Sequence, residues 1–362
     1  MAEEGRQYWI WLSHVDGVGP MRFKKLMNAF DDPAEVFRQA QAGRPMPMLD
    51  DATAARLRES ATAAAIERIL RALDEKGIRA VCQCDPEYPE PLLGIYDAPF
   101  VLYAHGNVGL LSGKRMISMV GTRQPTRYGE QVATQISRGL GENGVTVVSG
   151  LARGIDGICH RGCLEGGGDT IAVLGCGVDI VYPREQQGLY DRIVDRGLIL
   201  SEYKPGTPPA PGNFPARNRI ISGLASGIVV VEAGQRSGTL FTVDFALDQG
   251  RDIFAVPGPV NSPTSVTPNN LIKSGCQMAT SSDDILQYYG WVRRSADAPG
   301  TPRIQPANHE EATVLEILED GETTFDRIFE MTDFSVPQLA AILSMMEMKG
   351  MIVQLPGRVY SL

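Results

Sequence analysis

Between residues 116 and 256, short unbroken apolar runs recur, each closing on glycine or another small residue. They are Met116–Val120 before Gly121, Val145–Val148 before Ser149-Gly150, Ile171–Leu174 before Gly175, Ile228–Val231 before Glu232-Ala-Gly234, and Ile253–Val256 before Pro257-Gly258. Runs without polar alternation fit strands buried on both faces of a parallel sheet. Stretches of helical character separate them at Gly129–Asn143, Asp156–Glu165 and Thr239–Gln249. This alternation predicts an α/β fold with a Rossmann-like, doubly wound, mostly parallel sheet. Ligands in such folds bind beyond the carboxyl ends of the strands, where this sequence places its glycines.

The flanks read differently. Residues 8–80 are helical in character, with Ala52–Asp74 rich in Ala, Arg, Leu and Glu. Within them Val15–Pro20 (VDGVGP), followed by Met21–Phe30, resembles a helix-hairpin-helix element. Its second helix either turns its N-terminal amides toward a phosphate or only closes a helix–helix turn. Residues 85–99 are dense in proline and read as a linker, and 292–308 as a second one. Beyond it, helices over Glu311–Glu319, Thr324–Glu330 and Val336–Lys349 precede a hairpin of Ile352–Leu355 and Val359–Leu362, the pattern of a winged helix. The expected domains are 1–84 (helical, of SAM or helix-hairpin-helix type), 85–291 (Rossmann-like), the linker 292–308, and 309–362 (winged helix).

Charge restricts where an anionic ligand could sit. The chain carries 34 basic and 43 acidic residues, net −9. Residues 309–362 alone hold 3 basic and 10 acidic, net −7, so any phosphate site is a local patch elsewhere. The six cysteines form no C-x-x-C pair and read as free thiols. Cys159, His160 and Cys163 match no common zinc spacing, so no metal is expected. The N-terminus carries acids where a signal peptide would be basic, and no apolar run approaches about 18 residues. A cytoplasmic protein without a membrane span is expected.

Four segments concentrate candidate chemistry. VGTRQPTRYG (120–129) runs a strand into a glycine turn with Arg123 at its tip, and SGLARGID (149–156) is a second such turn. Backbone amides at these turns bind anions, and Arg adds bidentate contacts to phosphate oxygens. FPARNRIISG (214–223) sets an aromatic ring beside two arginines and an amide, the combination of stacking platform and phosphate clamp that a single strand needs. EAGQRSGT (232–239) is a further glycine-rich turn opening a helix. One such turn is usually only a fold requirement; four at one sheet edge would converge on a cleft.

These segments, with TIAVLGCGVDIVYP (170–183), SEY (201–203), FAVPGPV (254–260) and NNLIKSG (269–275), resemble the DNA-processing protein A (DprA/Smf) family across most of residues 100–290. The resemblance implies a non-catalytic single-stranded-DNA-binding protein that acts as a homodimer. It would protect incoming strands and help load the RecA recombinase in natural transformation, with single-strand-binding protein a further candidate partner and no cofactor. On that basis Gly121, Thr122 and Arg123 hold phosphate, and Ser149 and Gly150 add a second anion site. Phe214 meets a base, with Arg217, Asn218 and Arg219 around the backbone. Ser237, Gly238 and Thr239 line the last turn, and Lys273 reaches the same pocket. The sequence departs from the family pattern at Gly157–Cys159, at Ser265–Asn269, and in the almost uncharged stretch before Phe214. A dimer surface is expected among Leu271, Ile272, Ile285, Leu286 and Tyr289, which otherwise are core.

Two rival functions remain. The Glu232–Thr239 turn resembles phosphate loops of nucleotide-cleaving phosphoribohydrolases, in which Glu232 and Arg123 would act on a nucleoside monophosphate. A transcription-factor-like reading of the winged helix is disfavoured by its charge and by a Met- and Leu-rich recognition helix with one basic residue.

Overall fold

The computed structural model describes residues 3–235, 237–291, 309–319, 323–332, 334–349, 351–355 and 359–361. Two units form, one up to Val292 and one from Arg293.

The first unit is built on a nine-stranded sheet. Its strands are β1 (Arg79–Cys82), β2 (Val101–Gly106), β3 (Met116–Val120), β4 (Thr146–Ser149), β5 (Thr170–Val173), β6 (Leu198–Ser201), β7 (Gly227–Val230), β8 (Asp252–Ala255) and β9 (Gln277–Met278). They lie in the order β1-β2-β6-β5-β4-β3-β7-β8-β9. β3 to β9 run parallel. β1 and β2 join antiparallel at the β6 edge. The order reverses between β3 and β7, the switch point at which doubly wound sheets open a crevice.

Every residue of β3 to β7 is buried, as the unbroken apolar runs required. Ile117 and Met119 face helices Arg127–Glu142 and Ile155–Glu165 through Ile136, Leu140 and Cys159. Val120, Val148, Val173 and Val230 face helices Asn213–Leu224 and Thr239–Asp248 through Ile220, Ile221 and Val243. Burial on both faces at about 25 cal/mol per Å² of apolar area makes this sheet the main source of the unit's stability.

Five helices precede the sheet: Glu3–His14, Pro20–Phe30, Pro33–Gln41, Asp51–Ser60 and Ala63–Glu75. Asp32, Asp50 and Thr62 cap the last three by accepting from Ala34, Thr53 and Ala65 amides. Trp11, Phe23, Leu26, Val36, Phe37 and Leu57 form their core. The hairpin is seated on the sheet domain. Phe23 stacks on Phe100 at 4.2 Å, and Lys204 Nζ donates to the His14 carbonyl at 3.0 Å and to Asp16 Oδ1 at 2.5 Å. The hairpin carbonyls of Asp16 and Gly17 accept from Arg56 and Arg22.

Three expectations need correction. The helical segment stops at Glu75, and β1 already belongs to the sheet. The proline-dense stretch 85–99 is not a free linker, because Tyr88, Leu92 and Ile95 are buried in the sheet's core. Nor do Ile285 and Leu286 form a dimer surface: both are buried against helix Arg127–Glu142, while Leu271 packs on the opposite core. The linker 292–308 lies outside the described residues.

In the second unit, helices His309–Glu319, Phe325–Glu330 and Val336–Met348 surround Val314, Leu318, Ile328, Leu339, Leu343 and Met346. Thr323–Thr324, Val359–Ser361 and Val353–Leu355 complete a three-stranded winged-helix sheet in that order. Lys349, at the end of its third helix, donates to Glu311 at 2.6 Å. Among the described residues, no helix is long and apolar enough to cross a membrane.

Candidate nucleic-acid interface

The turn after β3 lies at the switch point, and its backbone is drawn in tightly. A Cβ on Gly121 would come within 2.6 Å of Ile155 Cγ1, so only glycine lets the chain pass. The Thr122 amide donates to the Glu232 carbonyl at 2.7 Å, and the Ile155 amide to the Thr122 carbonyl at 3.2 Å. Arg123 is thereby pushed out at the tip, exposed and with no ion-pair partner among the described residues.

Glu232 secures the same turn from below. Its carboxylate, 2 % exposed, accepts from the Thr126 amide at 2.8 Å, Thr126 Oγ1 at 2.7 Å and Thr264 Oγ1 at 2.9 Å. Thr126 in turn caps helix Arg127–Glu142 by accepting from the Gly129 amide.

The turn after β4 forms the floor. Ser149 is fully buried and donates to the Met119 carbonyl at 2.6 Å. Leu151 holds φ 54°, unusual for a leucine, and its amide donates to His160 Nε2 at 3.3 Å. His160 Nδ1 then donates to Thr170 Oγ1 at 2.6 Å, and that hydroxyl to the Val147 carbonyl. Burial and the nearby arginines lower the His160 pKa to about 3, so the ring is neutral and structural. With both ring nitrogens engaged, it has none to offer a metal.

Helix Asn213–Leu224 supplies the wall. Positions 214, 217 and 218 share the face toward the cleft by helical spacing. Phe214 lies over Gly175, its ring 5.3 Å from that of Tyr182, which is 43% exposed. Arg217 is buried. It donates to the Gly150 carbonyl at 2.7 Å and to the Val173 carbonyl, and stands 3.9 Å from Asp156. Burial lowers the Arg217 pKa and raises that of Asp156, each opposed by the other's charge. Opposite, Ser237 Oγ donates to Thr239 Oγ1 at 2.9 Å where helix Thr239–Asp248 begins.

These groups enclose a cavity of about 610 Å³ lined by Gly121, Thr122, Arg123, Asp156, Tyr182, Phe214, Arg217, Asn218, Ser237, Gly238 and Thr239. A second cavity of about 630 Å³ shares Arg123, Tyr182, Phe214 and Arg217, and adds Gly150, Arg153 and Arg184.

Set beside known proteins, this arrangement has close relatives. A family model for the DNA recombination-mediator protein A matches residues 79–290, and one for the DprA winged helix domain matches 298–358. Protein Smf of Synechocystis is 32% identical over 99% of both chains. The chain belongs to the DNA processing protein A family. DNA processing protein DprA of Bacillus subtilis is 43% identical, over 61% of this chain and 75% of its own length. The X-ray structure of DprA from Streptococcus pneumoniae covers 78% of this chain and 97% of that one, with a TM-score of 0.67 at 34% identity. A structure of the Helicobacter pylori DNA processing protein A, described for its single-stranded DNA binding mode, covers 59% and 95% with a TM-score of 0.54 at 28% identity.

In this DprA-family cleft, not every residue expected from the sequence has the expected place. Gly121, Thr122, Arg123, Gly150, Phe214, Arg217, Asn218, Ser237, Gly238 and Thr239 come together. The Thr122 amide, however, is already bonded to Glu232. Ser149 and Gly150 do not offer a second anion site: the Ser149 hydroxyl holds β3, and the Gly150 amide is turned onto the Asp156 carboxylate. Arg219 is turned away. It forks onto Glu202 at 2.7 and 2.8 Å and reaches the Asp97 carbonyl, because two residues along a helix from Arg217 is about 200° of rotation. Lys273 ends helix Val266–Lys273, exposed and outside both cavities. Tyr182, Arg184 and Arg153 went unassigned in the sequence. The adjacency of aromatic and cation in Tyr182-Pro-Arg184 is the signal that marked Phe214 and Arg217.

Proposed function

We propose that the cleft binds single-stranded DNA, holding it without chemical change. The observation that carries this reading is Arg123, without an ion-pair partner among the described residues, at the switch point beside the exposed Tyr182 ring and the half-buried Phe214 ring: a phosphate contact and a base platform in one groove. The Helicobacter pylori relative supports it by analogy. A strand bound this way is shielded and positioned for transfer to the RecA recombinase, alongside single-strand-binding protein, in natural transformation in the cytoplasm. The protein acts as a homodimer in this reading.

The carboxylates near the strand ends favour holding over cleavage. Glu232 is buried under three donors outside both cavities, and Asp156 faces Arg217, so neither is free to act on a nucleoside monophosphate. Fluorescent single-stranded and duplex oligonucleotides, titrated with wild type and Arg123→Ala, test the reading. Salt-sensitive binding that prefers single strands and falls at least tenfold in the variant, about 1.4 kcal/mol, is expected. Equal affinity for duplex, or release of free base from nucleoside monophosphates, would overturn it.

A further inference from the structure

The two cavities are one groove divided by the aromatic pair. Tyr182 and Phe214 line both sides of the division, and so does Arg123. On the far side stand Arg153 and Arg184, and they differ. Arg153 is neutralised by Glu185, whereas Arg184 is exposed and has no carboxylate partner among the described residues. Arg217 is committed to backbone carbonyls. The stretch Pro205–Gly212, leading into the Phe214 wall, contains no charged residue. Among the described residues, the cations free for a ligand in the groove are therefore Arg123, which lines both cavities, and Arg184, which lines the second.

We propose that the groove is a two-step track for single-stranded DNA, in which Tyr182 is a second base platform and Arg184 a second phosphate contact. The proposal rests on the single-strand reading of the first compartment. A mononucleotide needs one ring and one cation. An extended strand presents bases and phosphates in alternation, and the two cavities together offer two of each: Arg123 with the Phe214 and Tyr182 rings on both, and Arg184 on the second. Arg184 lies in the turn Arg184–Gln186 directly after Tyr182-Pro183, so ring and cation are fixed together.

Fluorescence anisotropy with labelled oligothymidylate over a salt series tests this, comparing wild type with Arg184→Ala, Tyr182→Ala, Tyr182→Phe and Arg123→Ala. Arg184→Ala removes an exposed, unpartnered side chain, so its folding is not at stake. It is expected to weaken binding about fivefold near 0.1 M salt and to flatten the slope of log affinity against log salt by about 0.7. Tyr182→Ala is expected to lose about tenfold with the slope unchanged, and Tyr182→Phe to bind like wild type. If Arg123→Ala binds weakly while the Arg184 and Tyr182 variants keep wild-type affinity and slope, the track is overturned and a one-step site remains. If Arg123→Ala also binds normally, the single-strand reading falls and the track with it.

Discussion

His160 links the stability of the cleft to pH, and the size of the link can be worked out. Its ring accepts from the Leu151 amide and donates to Thr170, an arrangement possible only for the neutral imidazole. Its pKa is about 3 in the fold, against the ordinary 6.5. The unfolded chain therefore binds a proton that the folded chain refuses. Stability is lost as pH falls below the unfolded value, and the loss levels off only near the folded one. Between pH 7 and about pH 4.5 this one group removes about 2.5 kcal/mol. His160→Gln keeps a donor and an acceptor on the side chain but does not titrate. Urea unfolding of both proteins across that range, read by near-UV circular dichroism, isolates the contribution, because every other titrating group cancels in the difference. Wild type should lose about 2.5 kcal/mol more than the variant. Parallel pH profiles would show that the ring is protonated at little cost and that the Leu151 turn does not depend on the neutral tautomer.

Three further outcomes are expected. Gly129→Ala places a Cβ 2.2 Å from Glu232 Oε2, so the Thr126 cap must shift; thermal unfolding should show a loss of about 1–3 kcal/mol. Arg219→Ala leaves Glu202 buried and unpaired, lowering stability by about 3–5 kcal/mol in urea titrations, yet the folded fraction should bind oligothymidylate with wild-type affinity, unlike Arg123→Ala. A chain ending at residue 308 should keep single-strand affinity within about threefold, because the winged helix is acidic and Lys349 is bonded to Glu311; a loss above about tenfold, measured by the same anisotropy assay, would place a phosphate contact in that domain.

The parallel core was legible because burial on both faces removes polar alternation, and β3, β4, β5, β7 and β8 each fall within a residue or two of an apolar run. β1 and β9 were not legible: Arg79–Cys82 continues a helical-looking segment, and Gln277–Met278 is a two-residue exposed edge. The site was partly legible for a related reason. Sequence proximity grouped Arg217 with Arg219, but helical rotation sends one to the cleft floor and the other to Glu202. Composition cannot distinguish a cation that contacts ligand from one that fastens the backbone; only the partner does. Lys273 illustrates the same limit, since a shared motif does not tell whether a helix end reaches the groove or, as here, stays exposed outside it.

That distinction also resolves the conflict between an acidic chain and an anionic ligand. With a net charge of −9, the long-range field of the chain does not favour DNA, so attraction must come from a small region at short range. The fold creates one by fixing the partners of the nearby carboxylates. Glu232 is consumed by two threonines, Glu185 by Arg153, and Asp156 sits beside Arg217, where burial disfavours its charged form. Among the described residues, what remains toward the groove is Arg123, Arg184, the exposed Tyr182 ring and the half-buried Phe214 ring. Because the supporting hydrogen bonds are already made, little reorganisation is needed when a strand arrives, and the binding free energy of two cations is not spent on neutralising acids of the protein's own.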